Sequence, residues 1–409
     1  MEDKIKDFIR STKQKLRDSH DTQQSFNSVQ EAMLKSVNEI REATERGVSV
    51  IPELLYSDID TEQVSLAMRQ SIRHRGCVIV RGVFPEAQAR DWNLEIGEYL
   101  DRNNYLEKSK KKTGLDNYFG DLTDTAPQIF GIYWSRPQVM VRQAESMAAT
   151  KRFLNRLWDV SGPMGDEFDP DRDFTYADRT RRRAPGDKSL GLSPHMDSGS
   201  YERWVDPAFQ AIYEHVFSGN WQQYDPWRAM YRTQTREYKS PAVCSMFRTF
   251  QGWTALTSQG PSDGTLKLLP IANAIAYVLL RSLQDDVPDD EFCIARPGRA
   301  LGIDEHWHPE LLAGMVTIPR VNPGDTVWWH PDVVHAVENE HSGKEYASVI
   351  YVGASPACAK NEAYARAQSA YFLGGQSAPD FAAENYEVDF FGRATVDDLT
   401  ELGKQQMAL

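Results

Sequence analysis

Between about residues 185 and 355 the sequence breaks into short β-branched and aromatic runs separated by Gly, Pro, Asp and Asn. Such texture predicts an all-β unit rather than a parallel sheet built on βαβ crossovers. The clearest expected strands are 243–250, 253–258, 265–269, 315–318, 326–329 and 348–352, with helical insertions at 207–216 and 271–283.

The flanks read differently. Residues 1 to about 47 are polar and free of Pro, and Ile5, Phe8, Ile9 and Leu16, then Val29, Met33, Val37 and Ile40, recur at helical spacing. Two amphipathic helices broken near 19–25 are expected, packed on the outside of the main fold or on a second subunit as a homo-oligomer contact. A strand at 77–81, a turn at Gly82 and Pro85 and a helix at 86–100 follow, then a helix at 137–158 burying Val141, Met147, Phe153, Leu154 and Leu157. After Pro356 helix returns at 358–371, and a last helix starts at Thr395, where Thr395 and Asp398 form a capping box. The expected layout is an N-terminal helical region at 1–75, a main domain at 76–356 and a C-terminal helical extension at 357–409.

Composition excludes several function classes. A net charge of -13 argues against nucleic acid as a partner, because phosphates demand a basic face. Basic runs at 108–112 and 179–183 read as solvated loops, with local attraction of an anionic substrate as the sharper alternative. Cys77, Cys244, Cys293 and Cys358 are too scattered for a disulfide framework or zinc knuckle, which fits a reducing cytosol. The charged N-terminus carries no signal-peptide stretch, and no run of roughly 18 apolar residues predicts a membrane span. The expected location is cytoplasmic.

Nine histidines can be weighed one by one. His20, His74, His215 and His341 have no partner at ligand spacing and read as surface residues. His306 and His308 form an H-x-H without the Glu and Gly spacing of a cupin metal site, and read as a polar loop or helix start before Pro309. His195 stands in LGLSPHMDSGSY, ahead of a turn at Ser198 to Ser200. Residues two apart on a strand point the same way, so His195 and Asp197 can reach one ion while Met196 faces the other side. They would supply two corners of a 2-His-1-carboxylate triad. H-x-D alone arises by chance about 0.7 times in such a chain, so the third ligand carries the weight. His335, about 140 residues on and on a separate strand, is the candidate, with His330 as its rival at the bend before Pro331.

Three segments carry a resemblance. GDTVWWHPDVVH closely resembles the distal-histidine motif of the phytanoyl-CoA hydroxylase branch of the 2-oxoglutarate-dependent oxygenases, in which the second histidine binds iron. WTALTSQGPSDGTLKLLP, residues 253–270, is similar to that branch's tryptophan-led strand, turn and following strand. The strand-turn-helix at 76–100 is similar to its entry into the barrel. The whole chain also resembles the YbiU-like family assigned to that superfamily. The resemblance implies an α+β protein whose core, at about 185–355, is a double-stranded β-helix (a jelly-roll, cupin-like barrel) wrapped by N- and C-terminal helices. It implies iron(II) held by His195, Asp197 and His335, 2-oxoglutarate as cosubstrate, and dioxygen and a small organic molecule as substrates. No catalytic residue is implied beyond the metal ligands.

Where relatives hold the distal carboxylate of 2-oxoglutarate with an Arg about eleven residues after the second histidine, this chain has Tyr346. Lys344 and Arg248 are the candidate replacements, each also readable as a surface charge. Trp253 matches a cosubstrate-lining tryptophan, or fills the barrel. Two other classes stay open: a cupin-like metalloenzyme that does not use 2-oxoglutarate, and a metal-free binding protein on the same barrel. The insertion at 200–238, rich in Trp, Tyr and Arg, suggests a substrate with apolar and anionic parts.

Overall fold

In the computed structural model, which describes residues 2–110, 127–189, 193–240 and 243–409, helices enclose two largely antiparallel sheets. Their strands in chain order are β1 (Glu53–Leu55), β2 (Cys77–Arg81), β3 (Ile129–Phe130), β4 (Thr180–Arg183), β5 (His195–Met196) and β6 (Phe250–Ala255). There follow β7 (Leu266–Leu268), β8 (Leu301–Gly302), β9 (Val316–Thr317), β10 (Thr326–Trp329), β11 (His335–Val337) and β12 (Ala347–Ala354). One sheet runs β1-β2-β10-β6-β12-β4-β3 and the other β8-β5-β11-β7-β9. From β4 to β12, with the edge strand β8 set aside, the chain passes from one sheet to the other at each strand except between β7 and β9. The protein is thus a mixed α and β chain, with strands at the expected 265–269, 315–318, 326–329 and 348–352 segments.

Side-chain alternation explains why both sheet faces are buried. On β10, Val327 and Trp329 join Leu266 and Leu268 of the facing sheet, while Trp328 joins the helix-side cluster with Ile72, Trp92 and Ile96. A strand buried on both faces reads as a continuous apolar run, as TVWW does. The N-terminal helices, Glu2–Ser19 and Thr22–Glu45, lie on the outside of this body. Phe26, Val29, Met33, Val37 and Ile40 pack with Ile275 to Leu280 of helix Ile275–Arg281. Buried Lys13 donates to the carbonyls of Val287, Pro288 and Glu291 at 3.3, 2.9 and 3.0 Å, which fastens the first helix. Among the described residues no helix is long and apolar enough to cross a membrane.

Several local expectations are corrected. The strands expected at 243–250 and 253–258 are one strand, β6, and residues 243–249 are irregular. Gln251-Gly252 read as a break, yet Gly252 is inside the strand because Trp328 lies over it. A Cβ there would stand 2.6 Å from Trp328 Cε3 and 2.6 Å from the Val327 carbonyl oxygen. Gly252→Ala is therefore expected to destabilise the protein by roughly 1 to 3 kcal/mol through overpacking. Equilibrium denaturation checks this; an unchanged midpoint would show that the ring can move aside.

The helix expected at 137–158 is two, Arg136–Gln143 and Glu145–Asn155, separated by extended Ala144 at φ -66 and ψ 141. A one-residue break hardly disturbs apolar spacing, so periodicity cannot reveal it. The region expected to be helical at 1–75 also supplies β1, which pairs in parallel with β2. The Thr395–Asp398 box is present but caps a single 3-10 turn; the last α-helix is Glu401–Gln406, capped by Thr400. Residues 179–183 are not a solvated loop: β4 lies there, and Arg181 and Arg183 are buried. Of the other basic run, Lys111 and Lys112 fall outside the described residues. His341 is buried as well, its Nε2 2.8 Å from the Glu345 carbonyl.

Candidate metal centre

β5 and β11 are antiparallel neighbours, and His195 and His335 are register partners across them. Met196 points into the core on the opposite side and is fully buried, as the two-residue alternation requires. After β5 the chain turns at Ser198 (φ 66) and Gly199 (φ 98), and Asp197 comes up beside the two imidazoles. His195 Nε2 lies 3.7 Å from Asp197 Oδ1, and His335 Nε2 lies 3.6 Å from Asp197 Oδ2. All three ligand atoms fall within 4.8 Å of one another.

The hydrogen bonds of the rings fix which nitrogen faces the centre. His195 Nδ1 is 2.7 Å from the Ser193 carbonyl, and His335 Nδ1 is 3.2 Å from the Val333 carbonyl. A carbonyl only accepts, so each Nδ1 carries a proton and each Nε2 is the ring nitrogen that faces Asp197. Burial, and then the neighbouring His335, push His195 down to about 4, which keeps it neutral at ordinary pH. Burial pushes the Asp197 carboxyl up, but its neighbours His335, His195 and Arg248 hold it well below the carboxylate range. Two imidazoles and a carboxylate converging on one point suit a divalent first-row ion.

The three residues stand in the wall of a cavity of about 150 Å³ that runs between the sheets. Trp253 and Trp329 line it, and the Trp329 ring centroid is 5.1 Å from that of His335. Two buried guanidiniums face the same space. Arg248 is 6% exposed and Arg181 is 5% exposed, and the Nε of each has no partner. Arg181 donates one bond to the Gly264 carbonyl at 3.2 Å.

A buried network ties together the two segments that carry the ligands. Arg203 donates from Nη2 to the Asp197 carbonyl at 2.6 Å and from Nε to the Gly199 carbonyl at 2.9 Å. Its Nη1 reaches Asp332 Oδ1 at 2.6 Å and also Tyr213 Oη. Asp332 Oδ2 accepts from Arg232 at 3.1 Å and from Tyr224 at 3.2 Å. Burial would raise the Asp332 carboxyl, but Arg203 and Arg232 hold it low.

A family model described as Gig2-like matches residues 3–409. The chain belongs to the Gig2-like family. It is 44% identical over 404 residues to YbiU of Escherichia coli strain K12, covering 98% of this chain and 96% of that protein. That identity bears out the whole-chain resemblance to the YbiU-like family. A Salmonella typhimurium LT2 protein, provisionally named an oxidoreductase, has a crystal structure 42% identical with a TM-score of 0.94, covering 99% of this chain and 97% of that one. The crystal structure of the GlcNAc Inducible Gene 2 protein from Candida albicans is 27% identical with a TM-score of 0.81, covering 98% of this chain and 88% of that one.

In this Gig2-like chain the residues expected from sequence fall into two groups. His195, Asp197, His335, Arg248 and Trp253 share one cavity. Lys344 does not: it is exposed in the turn after His341 and is absent from the cavity wall. It stands in the exposed connection between β11 and β12, which lie in different sheets, so it is no candidate for a buried carboxylate. His330 is buried elsewhere, stacked on Trp158 with ring centroids 4.8 Å apart and its Nε2 3.0 Å from the Pro226 carbonyl. His308 is buried at the start of helix Pro309–Leu312. Arg181 was missed because its charged neighbours suggested a solvated face. The usable signal was the spacing of Arg179, Arg181 and Arg183, which puts alternate arginines on one side of a strand.

Proposed function

We propose that this Gig2-like protein is a non-haem iron(II), 2-oxoglutarate-dependent oxygenase acting on a small organic substrate with dioxygen. The observation that carries the reading is the His195–Asp197–His335 cluster opening into a cavity that also holds buried, incompletely paired arginines. The sheet alternation from β4 to β12 supports a double-stranded β-helix as the core of a domain at 76–356. The provisional oxidoreductase name of the Salmonella relative agrees with it.

His195 and His335 would hold iron(II) through Nε2, and Asp197 through a carboxylate oxygen. Bound there, iron(II) would let dioxygen act as the oxidant, with two of its four electrons drawn from 2-oxoglutarate as that is decarboxylated to succinate and two from the C–H bond that is hydroxylated. The chain's own residues do the rest. Ser193 and Val333 carbonyls fix the imidazole tautomers. Trp253, Trp329 and Val349 form apolar walls that exclude water from the cavity.

A dicarboxylate bound at the triad leaves its far carboxylate between the sheets, where an unpaired charge costs several kcal/mol. Arg181 fits that end. It is the register partner of Val349 on β12, three residues on from the Tyr346 that stands where relatives have Arg. The neighbouring strand thus contributes the cation that β12 lacks, with Trp253 as one wall. The absent Arg otherwise favours a cupin-like enzyme without 2-oxoglutarate, and Arg181 is what answers it.

The test is succinate release from 2-oxoglutarate by the iron(II)-loaded protein in air. We expect turnover that vanishes without iron, and a loss of about 2 to 5 kcal/mol in 2-oxoglutarate affinity for Arg181→Gln, as for a buried charge deprived of its partner. Unchanged affinity in that variant would remove Arg181 from the role. Absence of both binding and turnover in wild type would favour the cupin-like reading.

A further inference from the structure

Beyond Arg181 and the Asp178-paired Arg179, the cavity wall carries a third guanidinium, that of Arg248. Among the described residues the Arg248 guanidinium makes no hydrogen bond and no ion pair, although the residue is 6% exposed. The guanidinium carbon lies 5.2 Å from the centroid of the Tyr176 ring. The acids nearby are engaged: Asp197 belongs to the triad, Asp380 accepts from Ser245 N, Ser245 Oγ and Tyr176 Oη at 2.7, 2.6 and 3.1 Å, and Asp178 lies 3.5 Å from Arg179. A buried guanidinium with spare donors and no carboxylate hydrogen-bonded to it is a seat for an anion.

Register shows that this seat is separate from the one at Arg181. The Arg248 stem crosses β12 at Gly353, where a Cβ would lie 2.9 Å from Arg248 Cδ. Gly353 pairs with Gln251, Gln251 pairs with Trp329, and the Trp329 ring is beside His335. Arg248 therefore stands at the level of the triad. Arg181 pairs with Val349, four residues back along β12, which is about 13 Å at about 3.3 Å per residue. A dicarboxylate using one carboxylate at the triad and the other at Arg181 leaves Arg248 unoccupied.

We infer that the primary substrate is a small organic anion whose charged group is held by Arg248 beside the metal triad. The inference rests on the oxygenase reading of the site. The apolar part of the substrate lies against Val243, Val352 and Phe381, which line the cavity with Arg248. The guanidinium fork suits a carboxylate or a phosphate monoester, since both offer two oxygens in its plane.

The experiment has two steps, both anaerobic and followed by tryptophan fluorescence, since Trp253 and Trp329 line the cavity. The iron(II)-loaded protein is titrated first with 2-oxoglutarate, and the loaded complex then with butyrate, butyl phosphate and neutral butyramide. Wild type is expected to bind one of the two anions at least about tenfold more tightly than the amide, and which one identifies the charged group. Arg248→Gln should abolish that preference and leave 2-oxoglutarate affinity within about threefold, while Arg248→Lys should restore part of it. Arg181→Gln should do the reverse. Absence of an anion preference in wild type, or its survival in Arg248→Gln, overturns the inference while the first step still supports the oxygenase. A fall in 2-oxoglutarate affinity in Arg248→Gln as large as in Arg181→Gln overturns it too, because Arg248 would then grip the cosubstrate. Failure of wild type to bind 2-oxoglutarate in the first step removes the oxygenase reading and the inference with it.

Discussion

Asp332→Ala should lower the stability of the folded protein by about 3 to 5 kcal/mol, the range for removing one partner from a buried ion pair. Asp332 is fully buried and meets Arg203 at 2.6 Å and Arg232 at 3.1 Å, so its loss strands two guanidiniums in the interior. The damage should not stop at stability. Arg203 also carries the carbonyls of Asp197 and Gly199, and once released it no longer fixes the turn that aims the Asp197 carboxylate. Metal affinity is expected to fall by roughly 10- to 100-fold, as for other changes to the groups that orient metal ligands. Asp332→Asn keeps the shape and some hydrogen bonds and should cost less on both counts. Denaturant titration and metal titration of the same preparations measure the two effects. A stability change below about 1 kcal/mol would mean that water reaches the stranded arginines and replaces the carboxylate.

The second large effect is at the ligands. Asp197→Ala and His335→Ala should each reduce affinity for iron(II) by well over about 100-fold, beyond the range for orienting groups, because each removes one of only three protein donors. Neither change should cost much stability, since Asp197 borders the cavity and two imidazoles and a carboxylate held together without an ion are poorly compensated. His330→Ala makes the contrasting control. That ring is stacked on Trp158 and meets Trp227 edge-on, with its nitrogens paired to Pro226 O and Asp332 N, so the variant should lose stability through a cavity and unpaired polar groups. Iron affinity close to wild type in His335→Ala, with loss in His330→Ala, would exchange their roles.

How much of this was legible in the residues depended on whether the physics was local. His195, Asp197 and Met196 separate onto two faces by strand alternation alone, and TVWWHP marks β10 and its end through a β-branched and aromatic run stopped by proline. Gly252 looked like a break because the sequence does not display Trp328, which lies over it across the sheet. Arg179 to Arg183 looked solvated because charge runs usually are; only pairing with β12 turns alternate arginines inward. Lys344 was placed by counting from His335, and counting fails where a turn carries the chain out to the rim. The Arg203–Asp332 bond joins residues 129 positions apart, and no local pattern announces it.

The central claim is that His195, Asp197 and His335 bind one metal ion that in turn binds 2-oxoglutarate. Anaerobic titration of the iron(II)-loaded protein with 2-oxoglutarate, followed by visible absorption, tests it most directly. A saturable charge-transfer band is expected, reaching its limit at one equivalent of 2-oxoglutarate per chain and absent in Asp197→Ala. A wild-type protein that holds iron(II) yet develops no band and binds no 2-oxoglutarate, or a band that persists in Asp197→Ala, would contradict it.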